Sequence, residues 1–135
     1  MENENILSEN EVVELLVKWL QNDNWIVKKK ALGYQHGNDI EAERNGEQLI
    51  IEAKGIKPND SKKSHIFNNT QIQVHFGKAL IKIMEEQTKN PSALTGIAQP
   101  NDETIKQTLK FCLPQVKKLN IILFWVNQDG EIIVE

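Results

Sequence analysis

The chain has 135 residues and a formal net charge of −3, and 39% of its residues are hydrophobic and 26% are charged. This length and composition indicate one globular domain, residues 1–135, with its own core. The negative net charge argues against a protein that coats nucleic acid through bulk positive charge, although it allows local basic groups.

The single cysteine, the polar first residues and the short apolar runs together predict a cytoplasmic location. Cys112 is the only cysteine, so an internal disulfide is excluded and a reducing environment is expected. The acidic, polar first ten residues are unlike a secretory signal. The longest apolar run, residues 121–126, is too short to cross a bilayer, so we expect no membrane partner.

The first predicted element is a helix that begins at Ser8, with Glu11 completing a capping box. Its expected buried stripe consists of apolar residues at helical spacing: Val12, Leu15, Leu16, Trp19 and Leu20. A first strand is predicted over residues 25–32, where three consecutive lysines favour an edge or an exposed face.

Residues 36–55 predict a β-hairpin, which is the most informative stretch of the chain. An Asn-Gly pair at 45–46 is the strongest short signal for a type I′ turn. Counting back from the turn places Asp39 opposite Glu52, with Cβ atoms about 5 Å apart, and Lys54 on the same face. Two facing carboxylates destabilise a hairpin, but they suit a divalent cation with an ammonium group beside it.

The opposite face of this hairpin is apolar, so a slip of one residue would bury the two carboxylates and the register is well specified. This face consists of Ile40, Ala42, Leu49, Ile51 and Ala53.

The second half of the chain predicts alternating helices and strands. A lysine-rich loop over 55–70 precedes a helix from Gln71 to about Gln87, and a strand over 94–99 follows. Asn101 or Asp102 caps a third helix, which Pro114 must kink or restart. The stripe of that helix is Ile105, Leu109, Cys112 and Val116, and strands over 120–126 and 131–134 complete the chain.

The predicted order is α-β-β-β-α-β-α-β-β. It corresponds to an α/β fold in which an antiparallel three-stranded meander feeds a βαβ crossover, giving a mixed sheet flanked by helices.

This arrangement resembles the PD-(D/E)xK nuclease superfamily, which has the restriction-endonuclease-like fold. The resemblance rests on Gly37-Asn38-Asp39-Ile40, on Glu52-Ala53-Lys54 and on the helix that follows. The order of elements agrees over nearly the whole chain, whereas the motif itself covers only the hairpin.

The resemblance implies a Mg²⁺ (or Mn²⁺) site in which Asp39 and Glu52 bind one or two ions. Lys54 would position or activate the attacking water, either as a fixed positive charge or as a base. The carbonyl of Ala53, between the two motif residues, is a further candidate ligand.

Members of this superfamily often add a glutamine from the next helix, and resolvase-like members add a glutamate from the first helix. Gln71 is the candidate glutamine, with Gln73 as its rival. Glu11 and Glu14 are the candidate accessory acids, although capping also explains Glu11 and a pair with Lys18 also explains Glu14.

Four basic groups are candidates for contact with the phosphate backbone: Lys57, Lys62, Lys63 and His75. We therefore expect a Mg²⁺-dependent endonuclease that acts on DNA and, since both strands must be cut, forms a homo-oligomer. Two alternatives remain open, a non-catalytic domain on the same scaffold that binds nucleic acid or protein, and a metal site that serves stability alone.

Overall fold

The structure is a computed structural model, and it describes residues 5–33, 37–60 and 65–135. The described helices and strands follow one another as α1 (Glu9–Asn22), β1 (Ile26–Lys30), β2 (Ile40–Arg44), β3 (Glu47–Ala53), α2 (Asn69–Lys89), β4 (Leu94–Pro100), α3 (Glu103–Thr108), α4 (Leu113–Lys118), β5 (Ile121–Val126) and β6 (Ile132–Val134). No helix in these ranges is long and apolar enough to cross a membrane.

The six strands form one mixed sheet in chain order, β1 to β6. Strands β1, β2 and β3 are antiparallel, β3, β4 and β5 are parallel, and β6 returns antiparallel to β5. The predicted meander, βαβ crossover and mixed α/β class are therefore confirmed.

The hairpin has the register that its turn predicts. Arg44 pairs with Glu47, and Ile40 pairs with Ile51. The residues at 45 and 46 have φ angles of 53° and 79°, as a type I′ turn requires.

Two apolar clusters cover the two faces of the sheet. Helix α1 packs on one face, against the predicted apolar side of the hairpin. Helices α2, α3 and α4 pack on the other face, which includes Ile50 of β3. Strand β3 is therefore buried on both faces, and Glu52 shares its face with an isoleucine that is only 1% exposed.

The prediction that Pro114 kinks or restarts the third helix is confirmed as a restart, because the segment forms two short helices and Pro114 stands in the first turn of α4. Two other predictions about helix packing need correction, the first at the junction of α3 and α4. Cys112 is exposed at the junction between them and does not face the core. In α1, Val13 and Val17 are buried while Leu15 and Trp19 are only partly buried, because the buried face of this helix is rotated from the predicted stripe.

Candidate metal and active site

Asp39 and Glu52 lie side by side at the open end of the hairpin, opposite its turn. The backbone N–H of Asp39 donates to Glu52 Oε2 over 3.2 Å. The N–H of Ala53 donates to Asp39 Oδ2 over 2.8 Å. The hairpin register, and two backbone hydrogen bonds, thus bring together the two carboxylates that the sequence singled out.

Both carboxylates are harder to ionise than an exposed acid. Burial, followed by the negative charge of Asp39, raises the pKa of Glu52 to about 7. Burial also raises the pKa of Asp39, although the Ala53 N–H and nearby lysines oppose the effect. A cation bound between two such carboxylates would offset their repulsion and favour their ionised forms.

Lys82, on α2, supplies positive charge to this pair. Its Nζ lies 3.4 Å from Glu52 Oε1 and also donates to the carbonyl oxygen of Gly37. Its charge lowers the pKa values of Glu52, Asp39 and Glu9. Sequence analysis missed Lys82, although its spacing from His75 places both residues on one side of α2.

Lys54 follows the hairpin and pairs with Glu9 at the start of α1, with 3.5 Å between Nζ and Oε1. Burial and the charge of Asp39 raise the pKa of Glu9, so Glu9 is close enough to interact with the carboxylate pair. Glu9 was not predicted, because the sequence drew attention to Glu11 and Glu14 at capping and pairing positions of the same helix.

Gly55 explains how α1 comes so close to the site. A Cβ on this residue would lie 2.4 Å from the backbone N of Glu9 and 2.5 Å from the backbone C of Ser8. The Ile56 N–H donates to the carbonyl of Leu7 over 2.8 Å. Only a glycine therefore lets the start of α1 lie against the end of β3.

Glu11 and Glu14 are held by other partners. Glu11 completes the predicted capping box of α1 and lies 3.7 Å from Lys57. Glu14 pairs with Lys30 at 3.1 Å, and not with Lys18 as the sequence suggested.

The two candidate glutamines, Gln71 and Gln73, lie in different environments. Gln71 is the third residue of α2, and its Oε1 accepts the N–H of Asn68 over 2.9 Å in a second capping box. Gln73 is exposed. Contact of Gln71 with a substrate would break this cap.

His75 stands closer to the motif residues. It lines a cavity of about 150 Å³ together with Glu9, Lys54, Lys57 and Phe67. Burial and the positive charge of Lys54 lower the pKa of His75, and its ring lies edge-on to Phe67 with 4.5 Å between centroids. Two of the four predicted phosphate-contacting groups, Lys57 and His75, thus share one cavity, and the other two, at positions 62 and 63, lie outside the described residues.

The donor set suits a hard cation. Within the described ranges, no group of three or more His, Cys, Asp or Glu side chains is placed to hold a metal. Two carboxylates with a neighbouring backbone carbonyl are nevertheless sufficient for Mg²⁺ or Mn²⁺, since Mg²⁺ retains several of its waters, whereas a structural zinc site needs four protein ligands.

No protein-family model matches this chain, and no characterised protein matches it significantly in sequence. Among solved structures, the chain is similar to an XisH family protein from Nostoc punctiforme PCC 73102, with 18% identity, a TM-score of 0.63, and coverage of 91% of this chain and 96% of that one. It is also similar to an fdxN element excision controlling factor protein from Anabaena variabilis, with 18% identity, a TM-score of 0.62, and coverage of 91% and 95%. The likeness establishes a shared fold, a six-stranded mixed sheet flanked by helices.

Proposed function

We propose that this protein is a metal-dependent nuclease that hydrolyses phosphodiester bonds in DNA. The main support is the Asp39–Glu52 pair, whose carboxylates are held together by the hairpin although burial and mutual repulsion resist their ionisation. Lys54 follows on the same strand end, in the order typical of the PD-(D/E)xK superfamily. One of the structurally similar proteins is named as a factor that controls excision of an element, which is consistent with action on DNA.

Asp39 and Glu52 would hold Mg²⁺ or Mn²⁺, and the carbonyl of Ala53 would be a third protein ligand. The chemistry of this donor set fits such an ion, because all three atoms are hard oxygens. A bound ion would stabilise the negative charge that develops on the phosphate and would favour ionisation of an attacking water.

The remaining polar groups would bind and orient the substrate. Because Lys54 is paired with Glu9, we assign Lys54 the role of a fixed positive charge that orients the water and the scissile phosphate. Glu9 would hold the Lys54 side chain in place. Lys57 and His75, which line the same cavity, would contact the adjacent backbone phosphate.

The test is cleavage of supercoiled plasmid and of a single-stranded oligonucleotide in Mg²⁺ or Mn²⁺, with and without a chelator. We expect Asp39→Asn and Lys54→Met each to reduce cleavage by about 100-fold or more. Glu43→Gln is the matched control, because Glu43 lies on the same hairpin but pairs at 3.8 Å with Lys28, away from the site.

Cleavage that persists in both site variants would contradict the proposal. Salt-sensitive DNA binding without cleavage by the wild-type protein would instead identify a non-catalytic DNA-binding domain. Circular dichroism of each variant, compared with wild type, separates loss of chemistry from loss of fold.

A further inference from the structure

Helix α2 carries an apolar strip on the side that faces away from the sheet. Val74, Ile81 and Met84 are 49%, 62% and 45% exposed. Together with Gly77 they occupy successive a and d positions of two heptads, the pattern of a helix that packs against another helix. Single exposed apolar residues are ordinary, but a strip at this spacing indicates a partner.

Gly77 has no explanation within the described part of its own chain. It lies inside a helix of 21 residues, where glycine is about 1 kcal/mol less favourable than alanine. Its φ is not positive, and an added Cβ would meet no atom within 4 Å. A glycine at this place is explained by close approach of a second backbone from outside.

Two charged residues beside the strip indicate what that second backbone is. Lys78 and Glu85 are both exposed and occupy equivalent positions of the two heptads. In an antiparallel pair of α2 helices with a two-fold axis near Ile81, each Lys78 would approach Glu85 of the other copy. In a parallel pair, the same two residues would face Gln73 and Leu80, so only the antiparallel order is electrostatically complementary.

We propose that the α2 strip is the interface of a homodimer, in which two copies of this chain pack their α2 helices antiparallel. Ile81 would then contact its own copy, and Met84 would lie near Gly77 of the other chain. A helix of this length spans about 30 Å. One helix pair buries less than the roughly 800 Å² per partner of a standard interface, so we expect a dimer that dissociates in the micromolar range. The proposal is independent of nuclease activity.

The test is sedimentation velocity of the full chain over a concentration range from about 1 to 200 μM. We expect wild type to shift from monomer to dimer, and Ile81→Glu to remain monomeric because the interface would bury its charge. Ile26→Glu is the matched control, since both isoleucines are 62% exposed, and this variant should dimerise like wild type.

Three further variants test the arrangement. Lys78→Glu should raise the dissociation constant about fivefold, and the exchange Lys78→Glu with Glu85→Lys should restore it. Gly77→Ala should melt at a higher temperature as a monomer and yet dimerise more weakly. A wild-type monomer at every concentration, or an Ile81→Glu dimer, would overturn the proposal, and a charge exchange without recovery would overturn the antiparallel pairing.

Discussion

Glu52 links the ionisation of the site to the stability of the whole fold. Its pKa is raised from 4.5 to about 7, so the folded protein binds this proton more tightly than the unfolded chain does. The resulting stabilisation is fully present below about pH 4.5 and is lost as the pH rises through about 7.

Without metal, we therefore expect the free energy of unfolding to fall by up to about 3 kcal/mol between about pH 5 and pH 8. Asp39 and Glu9, whose pKa values are also raised, act in the same direction. Glu52→Gln should flatten most of this dependence, because the amide carries no charge at either pH. Urea unfolding in the presence of a chelator measures the effect, and an equal slope in variant and wild type would contradict it.

Lys82 places its positive charge beside Glu52, where a divalent cation would also bind. Its ammonium lies 3.4 Å from the carboxylate, so a bound cation must displace it or tolerate its repulsion. We expect Lys82→Met to tighten Mn²⁺ binding about five- to tenfold, as measured by calorimetry.

Lys89→Met is the control for this measurement, because Lys89 is exposed in the last turn of the same helix. Weaker Mn²⁺ binding in the Lys82 variant would show that Lys82 organises the carboxylates and does not compete with the ion.

At the scale of secondary-structure elements, the contact between α1 and the end of β3 depends on Gly55. A methyl group there would overlap two backbone atoms, which cannot move unless α1 shifts away from the strand. We expect Gly55→Ala to lower the free energy of unfolding by about 2–4 kcal/mol. Gly77→Ala, which meets open space in a helix, should raise it by up to about 1 kcal/mol. Urea unfolding distinguishes the two, and a Gly55→Ala variant as stable as wild type would show that α1 can shift without cost.

The elements that sequence predicted well are those specified by local chemistry. The capping box of α1 and the hairpin turn depend on residues at most three positions apart. The start of α2 was placed too late, because Asn68 and Gln71 are also a capping box whose signature went unrecognised. Cys112 was misplaced for a different reason, since helical spacing has no meaning across the break that Pro114 introduces.

At the scale of the whole molecule, the site residues that the sequence did not predict lie on elements that are distant along the chain. Asp39 and Glu52 meet across the open end of one hairpin and Lys54 directly follows it, so alternation and turn chemistry place them near one another. Glu9 and Lys82 reach the same site from α1 and α2, which pack on opposite faces of the sheet. Their proximity depends on the docking of both helices, and no local pattern encodes that.

The short parallel bridge between Ser8 and Lys57, continued by the Ile56–Leu7 hydrogen bond, attaches the first turn of α1 beside the sheet. The Glu9–Lys54 and Glu11–Lys57 ion pairs, and a hydrogen bond from the Asn10 N–H to Asn59 Oδ1, complete this attachment. A local opening of this turn would separate Glu9 from Lys54 while the sheet stayed folded. We therefore expect separation of Glu9 from Lys54 to have an opening free energy of its own, no larger than that of global unfolding.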